Sequence, residues 1–378
     1  MQPQAHFIFL GGFLGAGKTT AALRLAEFLH DQGLRVGMIT NDQGRRLVDT
    51  AAMQSRGLPT EEIAGGCFCC QFDALLGAAG RLGAAESPEV FIAEAVGSCT
   101  DLVATVAQPL RRLHGDRYTV APLSVLVDPE QARRVLGPAG ENQFSDDVTY
   151  VFGKQLEEAD VIVVNKADQL DATAADSLRA ALAARYPRAQ VLVVSALAGM
   201  NLAPWFDHVL RGRPAGRPAL EIDYDRYARG EARLGWFNAV AELSAEVPFD
   251  PDALLLQLAT TIQARVRTHG IEVAHLKMSI EPAGAPPADL AMVNLVRTDA
   301  AARAGARLDR EISRGTLLLN LRAEGAPADL QKIVHASLQV LERSVVDLRA
   351  RLVHVESFHP GRPNPTHRDP GPIPVAPL

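Results

Sequence analysis

Cysteine is nearly absent from this chain. There are four in 378 residues, and three of them, Cys67, Cys69 and Cys70, fall within four positions behind Gly65-Gly66. So sparse and clustered a supply argues against a disulfide framework. An excess of positive charge is also lacking. The formal net charge of −6 leaves no electrostatic footprint for nucleic acid, and Arg45-Arg46, Arg111-Arg112 and Arg133-Arg134 read as solvated local pairs. Nor is there a long apolar run: "FIFLGGFLGAG" is too short to span a bilayer and is interrupted by glycines. No basic region precedes it in Met1-Gln-Pro-Gln-Ala-His, so the expectation is a cytoplasmic protein without a nucleic-acid or membrane partner. What is present, 47% hydrophobic and 22% charged residues over a length comfortable for two domains, is the composition of a soluble globular protein.

From His6 to about Leu210, short apolar runs alternate with helix-like stretches. "HFIFLGG", "RVGMITN", "EVFIAEA", "LSVLVD", "DVIVVNK" and "QVLVVSA" are almost continuously apolar, as strands buried on both faces should be. "TTAALRLAEFLHDQG" and "ADSLRAALAARYP" have helical spacing, the first ending at Gly33 and the second before Pro187. The alternation predicts an α/β domain with a doubly wound, mostly parallel sheet over 1–212. The Gly/Pro-rich "RGRPAGRPA" opens a linker, 213–232. The rhythm then changes: a βαβββαβ order over 233–358 predicts a smaller α+β domain with an antiparallel sheet. Residues 359–378 are proline-rich and read as a disordered tail.

"GFLGAGKT" (12–19) fits G-x-x-x-x-G-K-[ST], follows a strand and opens a helix. Gly12, Gly15 and Gly17 let the backbone curl around a phosphate, with Ala16 and Thr20 in the same stretch. Lys18 is placed to reach the β- and γ-phosphates, and Thr19 to offer a hydroxyl to Mg²⁺. In "VVNKAD" (163–168) a strand ends in Asn165-Lys166-x-Asp168. The Asp168 carboxylate can accept both the N1–H and the exocyclic amine of guanine, a donor pair adenine lacks, which points to GTP. Lys166 would lie along the base, with Ser195 and Ala196 of "VSAL" behind the ring. In "FIAEAVGSC" (91–99), Glu94 is placed to hold a Mg²⁺ water and Gly97 to meet the γ-phosphate. Asp42, at a strand end, either orients Mg²⁺ or the attacking water or is a turn former.

In this setting the chain resembles the CobW family within the CobW/HypB/UreG group of GTPases. The resemblance is carried by "GGFLGAGKTT", "NDQG", "GGCFCC", "EAVG" and "VNKAD", in that order. It implies GTP hydrolysis coupled to the handling of a metal, most often zinc, for client proteins or cobalamin pathways. Asn41-Asp42-Gln43-Gly44 stands where the family usually has Asn-Glu-x-Gly, and Ser98-Cys99-Thr100-Asp101 where it has Ala-Asp-Pro. The chemistry of the cysteines agrees with the resemblance. Thiolates suit Zn²⁺, Cu(I) or iron, and three sulfurs leave one tetrahedral position open for a metal that must arrive and leave. Cys99 is either a fourth ligand or a small buried hydrophobe. The expectation is thus a GTP-hydrolysing metallochaperone or metalloenzyme-maturation factor, with Lys18, Asp42 and Glu94 at the reacting phosphate. GTP, Mg²⁺ and Zn²⁺ would be its small ligands and a client metalloprotein its partner, and a homodimer is compatible with this reading. The alternatives are a GTP-switched adaptor with a structural thiol cluster and a P-loop kinase for a small molecule.

Overall fold

The computed structural model describes residues 4–44, 48–137, 144–214, 216, 219–286, 288–369 and 371. The chain folds as two units: Met1–Gln43 with Leu58–Gly230 and Arg362–Leu378, and Gly44–Gly57 with Glu231–Gly361.

In the first unit the apolar runs are parallel strands. They are β1 (Ala5–Gly12), β2 (Val36–Asp42), β3 (Thr60–Ala64), β4 (Val90–Glu94), β5 (Tyr118–Val120), β6 (Ser124–Val127), β7 (Val161–Val164) and β8 (Gln190–Val193). The sheet order is β3-β2-β4-β1-β6-β7-β8, with β5 also pairing β1, and all of these pairs are parallel. Parallel neighbours require crossover helices on the sheet faces, and burial on both faces is why β1, β4, β6 and β7 are apolar almost throughout. The P-loop α/β fold expected from sequence is therefore present. Two strands were not legible. β3, "TEEIA", is a polar edge strand with one buried residue, and β5 has only three residues.

The second unit holds an antiparallel sheet in the order βαββββαβ, one strand more than expected: the two-residue strand Arg303–Ala304 was not foreseen. β9 (Leu234–Phe249), β10 (Glu272–Pro282), β11 (Ala291–Leu295), β12 (Arg303–Ala304), β13 (Ile312–Glu324) and β14 (Arg349–Phe358) are ordered β12-β11-β10-β13-β9-β14. Alternation sorts its faces. Phe237, Ala239 and Ala241 of β9 and Leu317, Leu319 and Leu321 of β13 share a core with Leu258, Ile262, Val334 and Leu338 of the helices Pro251–Thr268 and Pro327–Ser344. Val240 and Leu318 point the other way, onto Val48 of the short helix Val48–Gln54. That helix is held by Lys277 Nζ on Asp49 at 2.5 and 2.7 Å and by the Val48 amide on Asn320 Oδ1 at 2.9 Å.

Three boundaries differ from the sequence reading, and each difference has a tertiary cause. Residues 44–57, expected within the nucleotide-binding domain, belong to the second unit through those contacts. The expected linker 213–232 contains most of a helix, Tyr224–Arg233, whose Tyr227 is fully buried; residues 215, 217 and 218 lie outside the described residues. The tail is corrected most. Its residues 362–369 lie in the first unit, where Thr366 N donates to Cys69 O at 2.8 Å, Asp369 N to Ala104 O at 2.8 Å, and Arg112 pairs with Asp369 at 2.8 Å. Proline-rich sequence cannot cover a core by itself, but its free backbone donors can bond an existing surface. Residues 370 and 372–378 of the expected tail lie outside the described residues.

Candidate nucleotide site and thiol cluster

Open parallel sheets hold ligands at the carboxyl ends of their strands, and the expected site residues lie there. β1 runs into a loop in which Gly12, Gly15 and Gly17 all have positive φ, at 124°, 78° and 86°. At two of them a side chain has no room: a Cβ on Gly12 would lie 2.2 Å from Leu126 O, and one on Gly17 would lie 2.5 Å from Asn165 Nδ2. Gly17 caps the helix Lys18–Asp31 without a side-chain bond to its first-turn N–H groups, an arrangement suited to a phosphate. Lys18 is buried, its ammonium folded onto Gly12 O at 2.8 Å and Phe13 O at 3.2 Å. Thr19 Oγ1 donates to Glu94 Oε1 at 3.0 Å. A hydroxyl beside a carboxylate is a hard oxygen donor set that fits Mg²⁺. Thr20 is exposed, and Asp42 ends β2 opposite Ala64.

At the other end of the loop Asn165 Nδ2 donates to Ala16 O at 2.9 Å, and Asn165 Oδ1 accepts from Ala196 N at 2.9 Å. Lys166 adopts a left-handed φ of 58° and reaches Gly15 O at 2.6 Å and Asp128 Oδ2 at 2.8 Å. Ser195 Oγ donates to Asp168 Oδ1 at 2.5 Å. The structure thus gathers Asn165, Lys166, Asp168, Ser195 and Ala196 around Gly15, Ala16 and Gly17. Asp128 was missed by the sequence reading. It caps the helix Pro129–Leu136 through the amides of Glu130 and Gln131 and also neutralises Lys166. The signal was available in "VDPE", an Asp before a proline at a helix start.

Cys67, Cys69 and Cys70 form a cluster, with Sγ separations of 2.7 Å (67–69), 3.4 Å (67–70) and 3.7 Å (69–70). Cys67 and Cys69 are buried and Cys70 is half-exposed. Tetrahedral zinc with bonds of about 2.3 Å sets its sulfurs about 3.8 Å apart, so the triplet is close to ligand spacing. Asn41, also missed from sequence, positions the loop: its Nδ2 donates to Gly66 O at 2.7 Å and to Ile63 O at 3.1 Å, and its Oδ1 accepts from Phe68 N at 2.9 Å. Hydrogen bonds from Cys69, Cys70 and Cys99 hold the Cys67 thiol well below its ordinary value. The same partnership pushes Cys69 well up and Cys70 to about 11. These hydrogen bonds thus favour the charged form at Cys67 over Cys69 and Cys70. Asn364 N, from the tail, donates to Cys70 Sγ at 3.2 Å, and Thr366 Oγ1 donates to Cys70 O at 3.2 Å.

The segment after β4 connects the two regions. Gly97 packs so tightly against the phosphate loop that a Cβ would lie 3.0 Å from Leu14 N. Beyond it Thr100 Oγ1 and Val103 N donate to Glu158 at 3.2 and 3.1 Å. Glu158 is buried, and desolvation, with Asp101 nearby, lifts its carboxyl from 4.5 to about 8. A raised carboxyl binds a proton in the folded state that the unfolded chain has released. Its stabilising effect is therefore complete below about 4.5 and is lost as pH rises through about 8. Glu158→Gln should flatten this decline, which is on the order of 3–5 kcal/mol across the window. Urea midpoints at pH 5 and 8.5 check it; parallel pH profiles for the variant and the parent would refute the assignment.

This fold, with its phosphate loop and Asn-Lys-x-Asp strand end, defines the class: a nucleotide-binding domain of the P-loop GTPase type. Residues 6–193 match the family description "CobW/HypB/UreG, nucleotide-binding domain", and this part of the chain belongs to that family. Among curated proteins the chain is similar to "Zinc chaperone CobW" of Pseudomonas aeruginosa, 29% identical over 212 residues, covering 48% of this chain and 54% of the relative. It is also similar to "Zinc chaperone CobW" of a Sinorhizobium species, 28% identical, covering 48% of this chain and 56% of the relative. The match thus spans about half the length of these curated relatives. Among solved structures, Zn(II)-bound YjiA GTPase from E. coli shares 19% identity at a TM-score of 0.36, covering 90% of this chain and 99% of its own. HypB from Helicobacter pylori in complex with nickel shares 19% identity at a TM-score of 0.39, covering 55% and 86%. No helix among the described residues is long and apolar enough to cross a membrane.

Proposed function

We propose that this protein hydrolyses GTP and uses the nucleotide state to bind and release zinc at Cys67, Cys69 and Cys70 for a client metalloprotein. The observation that carries the reading is the short path between the two sites. Thr19 bonds Glu94; Glu94 pairs in register with Thr40 of β2; and the next residue, Asn41, holds the thiol loop. The relatives named as zinc chaperones support zinc as the cargo.

In this reading Lys18 leaves its carbonyl partners for the β- and γ-phosphates. Thr19 and Glu94 would hold Mg²⁺, which when bound would supply positive charge against the phosphates. Gly97 offers its N–H to the γ-phosphate, and Asp42 orients the attacking water. Asp168 accepts from guanine, Lys166 lies along the base, and Ser195 and Ala196 stand behind it. Loss of the γ-phosphate frees Gly97 and relaxes the path to the cysteines.

The test is metal affinity in each nucleotide state. Zn²⁺ affinity of the reduced protein, measured against a competing chelator, should differ between the GTP and GDP forms by about 5–150-fold, a coupling of about 1–3 kcal/mol. It should also fall below neutral pH as protons compete for the thiolates. Equal affinities in both forms would leave a nucleotide-binding protein with an unrelated thiol cluster.

A further inference from the structure

The segment that reads in sequence as a loose tail lies against the thiol loop. Residues 362–369 belong to the first unit and form no helix or strand. Of the three clustered cysteines only Cys70 is half-exposed, so an ion or reagent arriving from solvent meets that sulfur first. Cys70 is also the sulfur that the segment touches. Asn364 N donates to Cys70 Sγ at 3.2 Å, Thr366 Oγ1 to Cys70 O at 3.2 Å, and Thr366 N to Cys69 O at 2.8 Å. We propose that residues 362–369 are a strap that gates Cys70, so that metal enters and leaves the thiol cluster when the strap lifts. The inference rests on the metal reading above and adds the regulation of that site.

The local sequence suits a strap. In Pro363-Asn364-Pro365-Thr366 the prolines hold the chain extended and carry no N–H. Only Asn364 and Thr366 have amides to give there, and both are spent on the thiol loop. A chain already stiffened by proline loses less freedom when it is seated. The strap is pinned on both sides of this contact. Ahead of it, Arg362 pairs with Asp225. Beyond it, Arg368 Nε donates to Asp101 Oδ2 at 2.7 Å, Arg368 Nη2 to Leu220 O at 2.7 Å, and Asp369 N to Ala104 O at 2.8 Å. The His367 ring stands edge-on to Phe72, which opens the helix Phe72–Glu86 just after the cysteines, with centroids 5.0 Å apart.

Pinning of this kind can be undone. Among residues 362–369 only Pro363 is buried, so polar contacts at the surface, rather than apolar burial, hold the segment down. Segments with few buried apolar contacts open at far lower cost than a core does. The Arg368 contact also gives the strap a connection to the nucleotide end. Asp101 lies four residues beyond Gly97 in a left-handed conformation (φ 65°), a cost for a non-glycine residue, and the bonds from Tyr224 Oη and Arg368 Nε at 2.7 Å help to hold it there. A shift of the segment after Gly97 would act on the strap through Asp101, and the strap in turn on Cys70.

Full-length protein carrying Arg368→Gln, or Arg362→Gln together with Arg368→Gln, tests the gate. Both arginines bond carboxylates rather than the sulfurs. In the reduced, metal-free protein, alkylation of Cys70 by iodoacetamide, located by peptide mass, should be at least about 10-fold faster in the single variant and faster again in the double. With Zn²⁺, uptake by the protein and transfer to an excess of chelator should both quicken by a similar factor. Equilibrium affinity should change by less than about 3-fold, because a gate alters both rates whereas a ligand alters their ratio. Nucleotide binding at the parent's level shows that the variants are folded. Alkylation and transfer rates equal to the parent's would overturn the strap, and faster alkylation with unchanged zinc transfer would overturn its gating of metal. Faster alkylation with no zinc bound by the parent would overturn the metal reading and leave the strap as the cover of a thiol.

Discussion

Lys18→Ala is expected to lower GTP turnover by about 10²–10³-fold or more, the usual cost of removing one preorganised donor from charge that develops in the transition state. In the structure the ammonium is buried and bonded to Gly12 O and Phe13 O, both in the loop that would surround the phosphates. The printed bonds that its removal deletes are to backbone carbonyls of the loop, so stability should change by about 1–3 kcal/mol, far less than the effect on turnover. Phosphate release with saturating GTP, beside a thermal melt of each protein, separates the two effects. Retained turnover in the variant would refute the assignment of 12–19 as the phosphate loop.

Asp168→Ala should have a comparable effect on selectivity. The carboxylate is presented by a short turn, Ala167–Gln169, entered through the left-handed Lys166, and Ser195 Oγ fixes one of its oxygens. A site built to hydrogen-bond a donor pair rejects a base without it by about 10⁴–10⁵-fold, because its own polar groups are left unpaired. The GTP/ATP affinity ratio should therefore fall by about that factor in Asp168→Ala. Asp168→Asn offers a donor where the base has a carbonyl, and should gain affinity for xanthosine triphosphate as it loses GTP. Competition binding with the three nucleotides measures this. A ratio unmoved by either substitution would mean that guanine is read elsewhere.

Much of the site was legible because its chemistry is local. The phosphate loop is eight consecutive residues, and the residues expected to read the base fall into two short runs at strand ends. A strand end in a parallel sheet is also where such a fold presents its ligands, so sequence position predicted spatial position. Asn41 and Asp128 were harder to see. Each works on a segment far away in sequence: Asn41 on Gly66 and Phe68, Asp128 on Lys166. Neither residue type is distinctive outside that geometry.

By itself, the sequence determined the two architectures, the phosphate loop, the choice of guanine as the expected base, and the thiol triplet. These follow from periodicity and from groups adjacent along the chain, whose physical reach is a few residues. Only the tertiary structure decided that residues 44–57 belong to the second unit. Their membership depends on Lys277 and Asn320, more than two hundred positions away. The same holds for the tail. Its prolines read as disorder, but the amides of Asn364 and Thr366 bond Cys70 Sγ and Cys69 O. Nothing local in "NPTHRD" announces such partners. Hydrogen bonds and metal ligation act over about 2–4 Å of space, and the chain brings distant residues within that range only when the sheet closes.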